Sequence, residues 1–292
     1  MKTLTRRQFL GTSAMGFLAL KANAIRPFAS RFNAPLTFQY WVVREPMGTD
    51  LDGSLGRMRE IGYDAMELCS PASYSQFVTY ETTDPEDLRR RIEDAGLRCR
   101  SSHFTGDEVL GNNGDNVHSA IELAKKLRLH TMYISSAPFN EREATLDRWK
   151  QFADEAHAAG EAVQAAGLQL GYHNHIIGPE IDGKPQYDHL MDLLDPDLVK
   201  MQFQIGAGRE GYDVVEYLKK YAGRFTSLHL SDFGSDRDGG VPVGNGILDW
   251  PELFEAARMS DIDEFGYIVE VGTEEPFEGV TKSYEYLSRL EL

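Results

Sequence analysis

Short apolar runs rich in β-branched and aromatic residues alternate eight times with longer stretches of helical periodicity, and this rhythm narrows the fold more than any other feature of the chain. Strands are expected at 36–43, 63–68, 97–103, 131–135, 168–173, 199–204, 225–230 and 267–271. Helices are expected at 50–61, 84–95, 115–127, 141–166, 186–194, 212–222, 250–259 and 278–290. Asp84-Pro85-Glu86 and Asp249-Trp250-Pro251-Glu252 put an acid and a proline where a first helical turn takes them. Gly62, Gly96, Gly167 and Gly223 each stand between a helix and the next strand, the place of a C-terminal cap. Eight such units in about 250 residues predict an α/β fold, a single-domain (β/α)8 TIM barrel. A doubly wound open sheet fits less well, because no glycine-rich phosphate loop follows the first strand.

Residues 1–24 stand outside this rhythm. Thr5-Arg6-Arg7-Gln8-Phe9-Leu10 reads as a twin-arginine export signal, followed by an apolar stretch to Leu20 and an Ala22-Asn23-Ala24 cleavage triplet. About 12 apolar residues are too few to span a bilayer, so a cleaved leader is expected rather than an anchor. The expected mature chain is the barrel of residues 25–292, working in the periplasm with no stable membrane span after processing. Losing Lys2, Arg6, Arg7 and Lys21 with the leader takes the formal net charge from −16 to about −20. Such a surface repels phosphate backbones, which excludes nucleic acid as a partner. Cys69 and Cys99 form no disulfide framework. They read as two buried thiols, with a single bridge between neighbouring strands as the other arrangement.

In a barrel of this kind, polar residues at the carboxyl ends of the strands converge on one face. The strand ends carry Glu67, His103, His173 with His175, Gln202 with Gln204, His229 and Glu270. Ionisable groups inside apolar strands are costly unless paired or liganded, so their recurrence at one end points to a site. Asp232, three residues after His229, is expected to orient that imidazole. Trp41 offers an aromatic platform for a sugar ring, or else core packing. Glu67 reads as a contact to sugar hydroxyls, or else as a satisfied carboxylate at the rim. His118, His130, His157 and His189 fall in helices or at the back face and read as structural or exposed. The Gly- and Asp-rich segment 232–246 reads as a binding loop over the mouth, and Gly206, Gly208 and Gly211 suggest a mobile rim loop.

Gly171-Tyr172-His173-Asn174-His175, Lys200-Met201-Gln202-Phe203-Gln204 and Gly223-Arg224-Phe225 leading to Leu228-His229-Leu230-Ser231-Asp232 form a recognisable set. Val243-Gly244-Asn245-Gly246-Ile247-Leu248-Asp249-Trp250 and Tyr267-Ile268-Val269-Glu270 complete it. This set resembles the sugar phosphate isomerase/epimerase family, the xylose-isomerase-like barrels that also include type-2 apurinic endonucleases. The resemblance covers nearly the whole chain after the leader. It implies a divalent-metal site at the barrel mouth and proton transfer on a sugar carbon. The implied metal set is Glu180, Gln204, His229 and Glu270, with His103, His175 and His229 as candidate acid–base groups. Trp41, Glu67, His173, Asp232 and Asn245 are the expected substrate contacts. The departures are Gly178, where relatives carry an acid after the His-x-His element, Gln204 in place of a carboxylate, and Ser231 where many carry a lysine. With Glu270 as the one full carboxylate charge, and Glu180 adding a second only if its loop folds inward, the site should prefer Mn, Co or Zn over Mg.

The expected protein is an exported enzyme that abstracts a proton next to a carbonyl. It would be an isomerase or epimerase on a free sugar or keto-sugar, or a β-eliminating lyase on a 3-keto-glycoside. A non-catalytic carbohydrate-binding barrel with a degenerate metal site is the rival expectation, favoured by Gln204 and Gly178. The partner is a small carbohydrate, and the oligomeric state stays open.

Overall fold

The computed structural model describes residues 32–70, 84–111 and 115–291, so the expected leader and cleavage triplet lie outside the described residues. Eight parallel strands close a barrel in sequence order. They are β1 (Thr37–Gln39), β2 (Ala65–Cys69), β3 (Arg98–Thr105), β4 (Thr131–Ser136), β5 (Gln169–His173), β6 (Val199–Gln204), β7 (Phe225–Leu230) and β8 (Tyr267–Val269). Each is followed by a helix: α1 (Leu51–Ile61), α2 (Pro85–Asp94), α3 (Asp115–Leu127), α4 (Leu146–Ala165), α5 (Gln186–Leu193), α6 (Val214–Lys220), α7 (Trp250–Ala257) and α8 (Pro276–Arg289). The expected TIM barrel is what forms. No helix among the described residues is long and apolar enough to cross a membrane.

The helix starts follow their sequence signals. Asp84 accepts from the amides of Glu86 and Asp87 ahead of Pro85, and Asp249 accepts from that of Glu252. Gly96 and Gly167 end their helices at φ +78, a conformation that costs any other residue energy.

Two elements depart from expectation because a side chain competes with the backbone. β1 stops at Gln39, whose Oε1 takes the amide of Trp41, and the chain turns into a 3-10 helix (Tyr40–Val43) and a short helix (Arg44–Thr49). The helix expected from 141 is broken at Thr145, whose hydroxyl caps α4 through the amide of Arg148. The expected rim loop after β6 is a 3-10 helix, Ile205–Glu210, with Gly206 and Gly208 buried. Cys69 and Cys99 are both free. The β2–β3 register sets Cys99 beside Met66 and Cys69 beside His103, so the thiols do not face each other.

Alternation along the strands sorts side chains between two cores. On β6, Met201 and Phe203 join the apolar layer under the helices, while Gln202 and Gln204 bond to groups inside the barrel. Inside, Tyr133 of β4 fills the space left by Gly171 of β5. A Cβ on Gly171 would lie 2.4 Å from the Tyr133 ring. Gly171→Ala should therefore destabilise the protein by about 1–3 kcal/mol through overpacking. Adding Tyr133→Leu should recover part of the loss, and a denaturant melt of both variants measures it.

Candidate active site

One carboxylate gathers the polar interior of the barrel. Glu67 of β2 is fully buried. Its Oε1 accepts from Gln39 Nε2 at 2.9 Å and lies 2.7 Å from His229 Nε2 and 3.1 Å from His103 Nε2. Its Oε2 accepts from Ser101 Oγ at 2.6 Å and Gln202 Nε2 at 2.9 Å. Residues of β1, β3, β6 and β7 thus converge on a residue of β2. Burial pushes the Glu67 carboxyl up, but the imidazoles of His103 and His229 outweigh it and hold the group well below the usual carboxylate range. The expected rim contact is instead a deep hub, because Glu67 lies inside the barrel and not on a loop.

His229 stands between two carboxylates, with Nε2 on Glu67 and Nδ1 3.1 Å from Glu270 Oε2. Burial pulls its pKa down, yet Glu270 and Glu67 raise it to about 9. Glu270, just beyond β8 and partly open to the cavity, is raised by burial and lowered more strongly by His229, to about 2. Gln204 donates its amide to the same Glu270 oxygen and accepts from the Gly206 amide at 3.2 Å. Its carboxamide oxygen, expected as a metal ligand, is therefore turned onto its own backbone.

Three imidazoles stack beside this pair. His103 and His229 lie nearly parallel, 5.1 Å between centroids, and His173 packs 4.6 and 4.4 Å from them. Ligand nitrogens of the three lie within 4.8 Å of one another. His103 Nε2 meets Gln202 Oε1 at 2.7 Å. His173 is fully buried and neither of its nitrogens has a hydrogen-bond partner among the described residues; burial keeps its pKa well below the ordinary value. His175, past the end of β5, opens to solvent at the mouth. The protein on its inner side pushes its pKa down, opposed by Glu270.

Above these groups opens a cavity of about 860 Å³, lined by His103, His175, Gln204 and Glu270 at its inner end and by Trp41, Arg44, Arg209 and Glu274 further out. Trp41 lies under the Arg44 guanidinium at 4.4 Å from the ring centroid. Cys69 also lines the cavity, its thiol pushed up by burial.

Three expected residues are placed elsewhere. Glu180 sits exposed in a hairpin (Glu180–Ile181 with Lys184–Pro185) off the cavity lining. The chain leaves the mouth at Gly178, which has φ +82, where a Cβ would meet Gln186 Oε1 at 2.8 Å. Glu210 pins this turn through the amides of Ile177 and Gly178. Asp232 does not orient His229, whose nitrogens both face other carboxylates. It is buried and accepts from the amides of Phe233, Gly244, Gly246 and Leu248 and from Trp250 Nε1, so it closes the loop that follows. Asn245 lies in a separate surface groove beside Lys282 and Tyr286 of α8. Gln39, Ser101, Arg44 and Arg209 were not anticipated. A neutral residue inside a strand and an arginine in a short helical turn after a strand carry no signal of their own in a single sequence.

The charge pattern has a consequence for the metal-free protein. A group whose pKa rises on folding lends stability that is complete below its unfolded value, near 6.5 for histidine, and is lost as pH rises through its folded value. His229 should therefore make the protein less stable as pH climbs from 7 through about 9. Glu67→Gln removes one of the charges holding His229 up, so it should flatten that slope while costing about 3–5 kcal/mol at neutral pH. Thermal melts in chelator between pH 7 and 10 check this; a variant keeping the full wild-type slope would contradict it.

A family model described as xylose isomerase-like TIM barrel matches residues 55–290. The chain is 27% identical over 282 residues to an inosose dehydratase of Geobacillus kaustophilus (strain HTA426), covering 82% of this chain and 87% of that one. A sugar phosphate isomerase/epimerase from Parabacteroides distasonis ATCC 8503 superposes with a TM-score of 0.70 at 26% identity, over 88% of this chain and 94% of that chain. A 3-keto-D-glucoside 4-epimerase from E. coli shares the fold, with a TM-score of 0.63 at 15% identity over 87% and 98% of the two chains.

Proposed function

The chain belongs to the xylose isomerase-like TIM barrel family, and on that premise we propose that it is an enzyme acting on a sugar or keto-sugar by abstracting a proton beside a carbonyl. The observation that carries this reading is the convergence of His103, His173, His229, Glu67 and Glu270 below one open cavity, with oppositely shifted pKa values among them. Such divergence separates acid and base roles at one pH. The kinship with an inosose dehydratase supports a carbonyl-bearing cyclic polyol as the kind of substrate.

His229, held up to about 9 by its carboxylates, carries a proton at neutral pH and is no base in the metal-free site. His103 Nε2 is committed to Gln202 and Glu67. His175 lines the cavity and is held down, so it is neutral and takes the role of base. The proton leaves the carbon next to the carbonyl for His175, and the electron pair moves onto the carbonyl oxygen as an enediolate. Protonating the former carbonyl carbon, while the proton of the adjacent hydroxyl passes to the enediolate oxygen, isomerises; protonating the original carbon from the opposite face by a second acid epimerises. Expelling a β-substituent instead gives elimination.

The buried, unpartnered nitrogens of His173 fit a divalent cation among the three imidazoles. His173 and His103 would hold it, joined by His229 once one of its nitrogens gives up its proton and its carboxylate contact, with the other carboxylate orienting that ring. When bound, such an ion supplies Lewis-acid stabilisation of the developing enediolate oxygen. Three imidazoles suit Zn, Co or Mn better than Mg.

His229→Ala and Glu270→Ala should each lower turnover of the active sugar by more than about a hundredfold, roughly 2.7 kcal/mol of barrier. His173→Ala should lose the metal by elemental analysis. Screening aldoses, ketoses, inososes and 3-keto-glycosides with and without Mn2+, Co2+ and Zn2+ is the direct test. Activity retained within about tenfold in the His229 and Glu270 variants, or tightly bound stoichiometric Mg2+, would remove the assignment. The Gln204 amide lying on Glu270, where relatives carry a carboxylate, favours a second reading, a carbohydrate-binding barrel without turnover. Sugar binding in the absence of any conversion would select it.

We also propose export through Arg6-Arg7, which lie outside the described residues. Replacing both arginines with lysine should hold the protein in the cytoplasm, and unchanged periplasmic recovery on fractionation would refute it.

A further inference from the structure

We infer that the substrate is a disaccharide-type glycoside, its reacting ring against the histidines and a second, polar ring in the outer part of the same cavity. This rests on the proposed carbonyl chemistry and names its substrate class. Size is the first observation. A hexose displaces roughly 180 Å³, the volume of six waters at about 30 Å³ each. The cavity holds about 860 Å³, so a single ring leaves most of it to solvent.

Chemistry is the second. The outer lining mixes one indole with the charged groups of Arg44, Glu45, Arg209 and Glu274 and with Val42, Thr273 and Pro276, all from segments beyond the strand ends. Trp41 takes its place through its amide, which donates to Gln39 Oε1 at 3.1 Å, while Gln39 Nε2 donates to Glu67. One side chain thus ties the outer platform to the hub of the inner layer. Arg44 donates from Nη1 to the Trp41 carbonyl at 2.7 Å and lies over the indole; Arg209 is anchored by Nε to the Gly206 carbonyl at 3.1 Å. Glu274 adds an acceptor to the same lining. A sugar ring offers apolar C–H groups to the part of the indole that lines the cavity, and hydroxyls to such donors and acceptors. An alkyl or aryl group there would desolvate the charges without answering them.

The wall is the third. Gly240 and Gly272 line the cavity, and the nearest atoms to a Cβ on Gly240 are the Gly272 backbone at 3.6 and 3.7 Å. A Cβ on Gly272 meets nothing within 4 Å, and its backbone is not in the left-handed region. Missing side chains here leave room for the second ring, and Gly272→Leu would fill it.

Calorimetry on the full protein with glucose, cellobiose, maltose and trehalose tests this without requiring turnover. At least one disaccharide should bind wild type about tenfold or more tighter than glucose. Gly272→Leu and Trp41→Ala should each cut that preference to within about threefold, with melting curves showing that both variants fold. The kcat/KM ratio of the matching 3-keto-disaccharide over 3-keto-glucose should fall in parallel. Equal binding of glucose and every disaccharide by wild type, or a preference surviving both variants, would overturn the inference. Absence of turnover with either ketone would count against the proposed reaction and leave the binding contrast to decide the substrate class.

Discussion

A carboxylate sealed inside a barrel has to be answered by its surroundings, and Glu67 is answered from four other strands. Leaving it unpaired would cost several kcal/mol, so Gln39, Ser101, His103, Gln202 and His229 are constrained together. The constraint propagates upward. His229, fixed from below by Glu67, presents Nδ1 to Glu270, and Glu270 in turn takes the Gln204 amide. The same carboxylates divide the imidazoles by charge. His229, between two of them, is held protonated, while His173, beside none and packed against other imidazoles, is kept neutral. Acid–base specialisation here follows from where two carboxylates sit in a stack of similar rings.

Much of this was legible in the sequence because it depends on period and topology. Strands β6 and β7 fall where their apolar runs lie, and the barrel then forces His103, His173, His229 and Glu270 to one end. Loop trajectories obey no such rule. Glu180 is carried away by a turn whose direction depends on Gly178 and on Glu210, a residue 32 positions later. Asp232 follows a strand-end histidine, as an orienting acid might be expected to do, yet loop amides capture it. Glu67 was assigned to the rim because strand position gives the end of the barrel but not the depth at which partners meet. Gln39 and Ser101 look like any polar residue in a half-buried strand until the closed sheet brings Glu67 between them.

Gly178 and Gln204, the positions where the sequence resemblance implies acids, act in the same direction. The backbone at Gly178 leaves no room for an acid, and Gln204 places an amide where a carboxylate would repel Glu270. Both reduce negative charge at the rim. The remaining donor-rich groups lie one layer lower, where His103 and His229 rest on Glu67 and His173 packs against both. A metal held there as proposed would have nitrogen-rich ligation, with the rim left to shape and polarity.

Asp232 shows how a long loop can be governed by one atom pair. Its two carboxylate oxygens collect backbone amides spread over positions 233 to 248, together with the Trp250 indole. Donors that share an acceptor cannot be released one at a time without stranding a buried charge. The segment therefore does not fray from its tip; it opens as a unit, and the Gly244, Gly246 and Leu248 amides should share a single opening free energy and exchange with solvent together. A stretch that looks irregular in sequence thus behaves as one cooperative panel beside the cavity.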